Sequence, residues 1–121
     1  SYTNFAYRNA KLSSGKITKD QSVTLTFDIA NTGKMDGDEV AQIYIKNPND
    51  PEGPIKALKA FLRVHVKAGD SQEVNIGLTP EAFHSFNDNT QTMEVRPGKY
   101  QILYGGSSDE KALERLELTI E

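Results

Sequence analysis

Residues 22–45, SVTLTFDIANTGKMDGDEVAQIYI, constrain this chain more than any other stretch. Val23, Leu25, Phe27 and Ile29 fall on one parity, and Thr24, Thr26 and Asp28 on the other. A period of two in β-branched and aromatic residues is that of a strand with one buried face. Two clusters of turn residues follow, Asn31-Thr32-Gly33 and Asp36-Gly37-Asp38. Gly accepts positive φ at little cost, and Asn and Asp side chains bond their own backbone. A second apolar run covers residues 40–45, with Val40, Ile43, Tyr44 and Ile45. Strand, turn-rich connection and strand make either a hairpin-like unit or a crossing between sheets. Neither buries its apolar face alone, so the rest of the chain must cover it.

The remaining segments repeat the pattern. Phe5 and Tyr7 alternate in a first strand expected at a sheet edge, and Ser13-Ser14-Gly15 closes it. Residues 47–54, NPNDPEGP, hold three of the five prolines and must form an exposed connection, because proline cannot donate within a sheet. Leu62, Val64 and Val66 face inward against Arg63, His65 and Lys67, and Ala68-Gly69-Asp70 is a tight turn. Val74, Ile76 and Leu78 form the next strand. Thr79-Pro80-Glu81 is a helix start, with Thr as N-cap and Pro in the first position. It predicts a short helix over residues 80–86 with Phe83 and Phe86 on its inner face. Met93 and Val95 mark a short strand stopped at Pro97-Gly98. Tyr100, Ile102 and Tyr104 mark another, and Leu116, Leu118 and Ile120 the last.

Roughly seven strands with one short helical turn, and no long helices between them, predict an all-β fold. An antiparallel β-sandwich of immunoglobulin type fits, in a single domain spanning residues 1–121. With 14 Lys and Arg against 17 Asp and Glu, the net charge of −3 offers nothing to nucleic acid. The chain has no cysteine, so disulfides and thiolate metal sites are excluded. No apolar run approaches the ~20 residues that span a bilayer, so no membrane partner is expected.

Several stretches together resemble the fibronectin type III-like domain at the C-terminus of glycoside hydrolase family 3 enzymes, the β-glucosidases and β-xylosidases. The opening Ser1-Tyr2-Thr3-Asn4-Phe5-Ala6-Tyr7 is similar to that family's entry into the domain. Asn31-Thr32-Gly33 followed by Gly37-Asp38-Glu39-Val40-Ala41-Gln42-Ile43-Tyr44 is similar to its N-T-G…G-x-E-V-x-Q-x-Y signature. Pro54-Ile55-Lys56-Ala57-Leu58-Lys59-Ala60-Phe61-Leu62-Arg63-Val64 resembles its P-x-K-x-L-K-G-F-x-R-V stretch. Val95-Arg96-Pro97-Gly98-Lys99-Tyr100 and Gly105-Gly106-Ser107-Ser108 resemble two late elements. Two positions depart from the pattern. Ala60 stands where Gly is usual, which argues against an unusual backbone angle there, and Phe83-His84 replaces a common Leu-Ala.

The resemblance implies a fragment of a larger retaining β-glycosidase, periplasmic or secreted, whose catalytic carboxylates lie on preceding domains. The opening at Ser1 rather than Met agrees with such a fragment. No catalytic, cofactor-binding or metal-ligating residue is carried over. The expected function is non-catalytic packing against the catalytic domains of the same chain, with homo-oligomer contact as a further partner. An autonomous carbohydrate-binding or protein-binding module is the alternative.

The residues themselves offer little competing chemistry. A retaining glycosidase needs two carboxyls about 5 Å apart, one with a raised pKa. Asp36, Asp38 and Glu39 instead sit in a polar turn where carboxylates stay solvated, and their spacing is not that of a calcium loop. His65 and His84 have no acidic partner at metal-ligand spacing. Ser107-Ser108 lacks both the nucleophile-elbow and the phosphate-loop pattern. Phe27, Tyr44, Phe61, Tyr100 and Tyr104 sit in strand patterns and are expected mostly in the core. Tyr2, Phe5, Tyr7, Pro54 and Phe61 remain as the candidate contact with a neighbouring domain, because an apolar patch left there would mark a lost interface.

Overall fold

The structure, a computed structural model, describes residues 3–47 and 57–121. Ten strands run in chain order. They are β1 (Phe5–Leu12), β2 (Lys16–Ile17), β3 (Val23–Asn31), β4 (Gly37–Lys46), β5 (Ala57–Val66), β6 (Ser71–Leu78), β7 (His84–Asn87), β8 (Thr92–Val95), β9 (Gly98–Gly105) and β10 (Glu114–Ile120). Seven long strands and the two-residue β2 build two facing sheets, ordered β1-β3-β6 and β2-β10-β9-β4-β5. All pairs are antiparallel except the short β10–β2 contact. The all-β sandwich expected from the alternation is the fold observed, with β7 and β8 as a separate small hairpin.

β3 and β4 lie in different sheets, so the segment between them is a crossing and not a hairpin. Val23, Leu25, Phe27 and Ile29 of β3 meet Ala41, Ile43 and Ile45 of β4, with Tyr100, Ile102 and Tyr104 of β9 and Leu118 and Ile120 of β10. Parity alone puts these side chains between the sheets. Burial of each large apolar side chain contributes about 1.5–3 kcal/mol, which makes this layer the main source of stability.

One polar residue is buried with them. Asn31, at the end of β3, donates from Nδ2 to the carbonyls of Met35 (2.8 Å) and Val66 (2.9 Å), and its Oδ1 accepts from Gly33 N–H (2.9 Å). Its backbone N–H donates to Asp70, and its carbonyl accepts from Gly69 N–H. A single amide thus ties the three-stranded sheet to the last residue of β5, in the other sheet, and shapes the turns beside both. Gly69 can serve here because its φ of +81° suits glycine, as the Ala68-Gly69-Asp70 turn signal implied.

Two expectations need correction. The helix start at Thr79-Pro80-Glu81 yields one 3-10 turn, Pro80–Phe83, and the chain then enters β7. Thr79 makes no side-chain cap; its hydroxyl donates instead to the Glu81 carboxylate at 2.7 Å. Pairing of His84, Ser85, Phe86 and Asn87 with Val95, Glu94, Met93 and Thr92 replaces further helix. As a result Phe83 is buried while Phe86 is exposed beside Met93. Phe61 is the second correction. It is 69% exposed, because it shares the outward parity of Arg63 and His65. Tyr44 is buried as expected, but on the outer face of its sheet, in a small second cluster with Leu103 and Leu113. The 3-10 turn Glu110–Ala112 leads directly into Leu113 and so into this cover.

Ala60 adopts no positive φ, but irregularity lies next to it. Ile43 pairs with Ala60 and Tyr44 with Leu58, so Lys59 is an extra residue in β5. A one-residue bulge switches parity, and it places Leu58 on the same outer face as Phe61. A second irregularity, in β1, has Asn9 at φ +56°, with its amide donating to Asp28 (2.9 Å).

Two outcomes are expected. Asn31→Ala removes hydrogen bonds to the buried Val66 carbonyl and to the part-buried Met35 carbonyl and Gly33 N–H, and should cost roughly 2–3 kcal/mol in urea unfolding; a loss below about 1 kcal/mol would contradict the tie. The second concerns three tyrosines whose phenols are held above their usual range. Burial is the main cause in each, joined by the Glu39 charge and hydrogen bond at Tyr7 and by the Glu114 charge at Tyr104, and partly offset at Tyr100 by the Arg96 carbonyl and charge. Unfolded phenols release protons near pH 10 while these keep theirs, so stability should hold below about pH 10 and fall above it. Tyr7→Phe should make the fall shallower, as read from urea midpoints between pH 8 and 11; an unchanged slope would remove Tyr7 from the effect.

Candidate functional site

Of the five candidate contact residues, Tyr2 and Pro54 lie outside the described residues. The other three fall in two places. Phe61 lies on the outer face of edge strand β5, opposite Gln42 and on the same side as Leu58. Phe5 and Tyr7 lie on β1 at the edge of the three-stranded sheet and pack partly against the core. The structure therefore does not bring the candidate residues into one patch.

Phe5 and Tyr7 border a cleft where the sandwich opens between β1 and the ends of β4, β9 and β10. Its walls include Tyr104, Gly106, Glu39 and Glu114, and it encloses about 330 Å³. Tyr7 packs on Phe27 with ring centroids 5.3 Å apart, and Phe27 stacks on Tyr104 at 5.2 Å. The Tyr7 hydroxyl donates to Glu39 Oε2 at 3.0 Å, across the gap between the sheets. Glu39 Oε1 accepts from Val40 N–H at 3.2 Å. The carboxylate lies so close over Gly106 that a Cβ there would overlap it.

The acidic cluster thus splits three ways. Asp36 accepts from Ala68 N–H at 2.9 Å and joins two turns. Asp38 faces outward, 2.6 Å from His65 Nδ1 and 3.8 Å from Arg63. These pairs are largely exposed, a setting in which ion pairs contribute about 0–1 kcal/mol. Glu39 turns inward to Tyr7. The three were expected together in a polar turn; β4 begins at Gly37, so strand alternation sends Asp38 and Glu39 to opposite faces. Glu39 was missed as a site residue, yet it shares parity with Ala41, Ile43 and Ile45, and that signal identifies it. His65 gained an acidic partner from the neighbouring strand, which spacing in the chain could not show.

A second cleft of about 300 Å³ lies beside the β7–β8 hairpin, with Lys19, His84, Glu94 and Arg96 around it. Its charges are mixed, and Glu94 is already engaged by the Asn87 amide. Among the described residues, no three His, Asp or Glu side chains gather as a metal site. Ser107 accepts from Asp109 N–H at 3.0 Å, as a turn residue does.

Comparison with known proteins agrees with this architecture. The family profile described as the fibronectin type III-like domain matches residues 39–108. A xylan 1,4-β-xylosidase of Xylanibacter ruminicola is 40% identical over 120 residues, covering 99% of this chain and 14% of that protein. A β-glucosidase of Bacteroides ovatus is 33% identical over 114 residues, covering 91% of this chain and 15% of its own length. The solved β-glucosidase of Listeria innocua, in complex with gluconolactone, superposes with a TM-score of 0.87 at 27% identity, over 98% of this chain and 16% of that one. The chain spans a small part of the length of each relative. It belongs to the fibronectin type III-like domain family, in the form carried by glycoside hydrolase family 3 β-glucosidases and β-xylosidases.

Proposed function

We propose that the chain is a non-catalytic packing module of a larger β-glycosidase, holding other domains of the same chain through its surface. The observation that carries this reading is the outer face of β5. Phe61 is 69% exposed and Leu58 49%, side by side on a strand with a free edge. Parity and the Lys59 bulge together place both rings and chains outward. An apolar pair held outward at the bulge of an edge strand does nothing for the isolated sandwich, and it gains burial when a neighbour covers it. In relatives of which this chain spans 14–15%, the remaining length supplies such neighbours.

The acidic residues support the same reading. Asp36, Asp38 and Glu39 are each committed to a different partner, namely a backbone N–H, a histidine with an arginine, and a phenol. These three acids therefore share no space with one another, unlike the two carboxyls that hydrolyse a glycosidic bond.

The test compares Phe61→Ala in the 121-residue chain and in the longer glycosidase. The short chain should change by no more than about 0.5 kcal/mol, as exposed sites do. The longer protein should lose roughly 1.5–3 kcal/mol of the coupling between this domain and the rest. That loss is read as earlier, separate melting of the domain in calorimetry. Equal effects in both contexts would overturn the reading, as would turnover of aryl β-glucosides or β-xylosides by the short chain alone.

A further inference from the structure

The cleft between β1 and the end of the five-stranded sheet is not explained by packing of the sandwich. Its walls are three aromatic rings, those of Phe5, Tyr7 and Tyr104, and two carboxylates, those of Glu39 and Glu114. Glu114 pairs with Tyr104 across β10 and β9, so both acids stand on the inner face of one sheet, where the sandwich opens. Among the described residues, no Lys, Arg or His lines the space and neither acid has an ion-pair partner. Glu39 is half-buried and held in place from two sides, by the Tyr7 hydroxyl and by Val40 N–H. The Glu39 carboxylate is thus held at a fixed point in the cleft, beside the exposed Glu114, where a cation from outside can meet both.

We infer that this cleft is a socket for an arginine side chain. On the packing reading above, on which this rests, the arginine comes from an adjoining domain of the same longer chain. The chemistry selects that occupant. A hard metal ion needs six to eight oxygen ligands; the side chains here offer two carboxylates and two phenols, and the Tyr7 phenol is already donating to Glu39. A lysine ammonium is compact and strongly hydrated, whereas a guanidinium is planar, sheds water more readily, lies against aromatic rings and meets carboxylates through fixed donors. A neutral sugar would leave the charge uncompensated. The volume of about 330 Å³ is near the lower end for small-molecule pockets and suits one inserted side chain. Opposite charge across such a contact fixes orientation and rejects wrong docking.

The test is an NMR titration of the 121-residue chain with N-acetyl-arginine amide, and in parallel with N-acetyl-citrulline amide, calcium chloride and glucose. Arginine should give saturable shifts centred on Tyr7, Glu39 and Gly106, weakened by added salt. Citrulline, isosteric but uncharged, should not. Glu39→Gln keeps an acceptor for the Tyr7 hydroxyl, so it should leave the melting temperature unchanged while lowering arginine affinity roughly tenfold. Gly106→Ala, which pushes the carboxylate aside without removing its charge, should weaken binding likewise. Absence of saturable shifts, equal response to citrulline, an unaltered affinity in both variants, or the same shifts from calcium or glucose would each overturn the socket. Its failure would leave the Phe61 comparison standing, because that comparison concerns the opposite face of the sheet.

Discussion

The arrangement depends on how Asn31 closes the gap between the sheets. Apolar parity can press two sheets together, but it does not specify how the chain passes from one to the other. The crossing from β3 to β4 brings carbonyls and N–H groups to the rim of the core, where an unpaired group costs up to about 1–3 kcal/mol as its burial grows. One side-chain amide answers three of them: two carbonyls through its donors and one N–H through its oxygen. Aspartate would lack the two donors, and leucine would lack everything. The amide also reads the position of β5 through the Val66 carbonyl, so the relative placement of the sheets is fixed by directional bonds as well as by packing.

That fixed placement is what gives the ends of the sandwich their character. Where the sheets lie close, the inner face is filled by Phe27, Ile29, Ile43 and Ile102, all fully buried. Where they splay, beside β1, the same inward parity delivers Glu39 and Glu114 instead of aliphatic residues. Tyr7 spans the difference, with its ring on Phe27 and its hydroxyl on Glu39. An amphipathic ring suits this boundary because one end wants apolar contact and the other a polar partner. The cleft is therefore a consequence of sheet geometry, and its charge a consequence of which residues occupy the last inward positions.

Most of the sandwich could be read from the chain because its code is local. Val23 through Ile29 declare their buried side by alternation alone, and the Ala68-Gly69-Asp70 turn declares itself by composition. Phe61 was also legible, since Leu62, Val64 and Val66 point inward and parity leaves it no place in the core; the resemblance of aromatics in strands to core aromatics obscured this. Glu39 was hidden by its neighbours, as two aspartates and a glycine made a strand start look like a turn. Other features were not legible in principle. The Lys59 bulge depends on pairing with β4, and the end of the 3-10 turn at Phe83 depends on β8 competing for the following residues. The burial of Tyr44 depends on Leu113 folding over the outer face, far along the chain. Each is set by a partner strand or segment that no local window contains.

The two surfaces differ in what they can contribute to assembly. Leu58 and Phe61 offer apolar area, which is non-directional and tolerates sliding. The Tyr7–Glu39 cleft offers little area but a charge held at a fixed point, which resists being approached at the wrong angle. They also sit on different sides of the same sheet, one outside β5 and one inside the open end near β4 and β9. Contact at one leaves rotation about that point; contact at both removes it. Both surfaces are reached through β4, which pairs with β5 on one side and β9 on the other. The Asn31 tie between the sheets fixes the relative placement of the two surfaces, because it adds directional bonds to the packing.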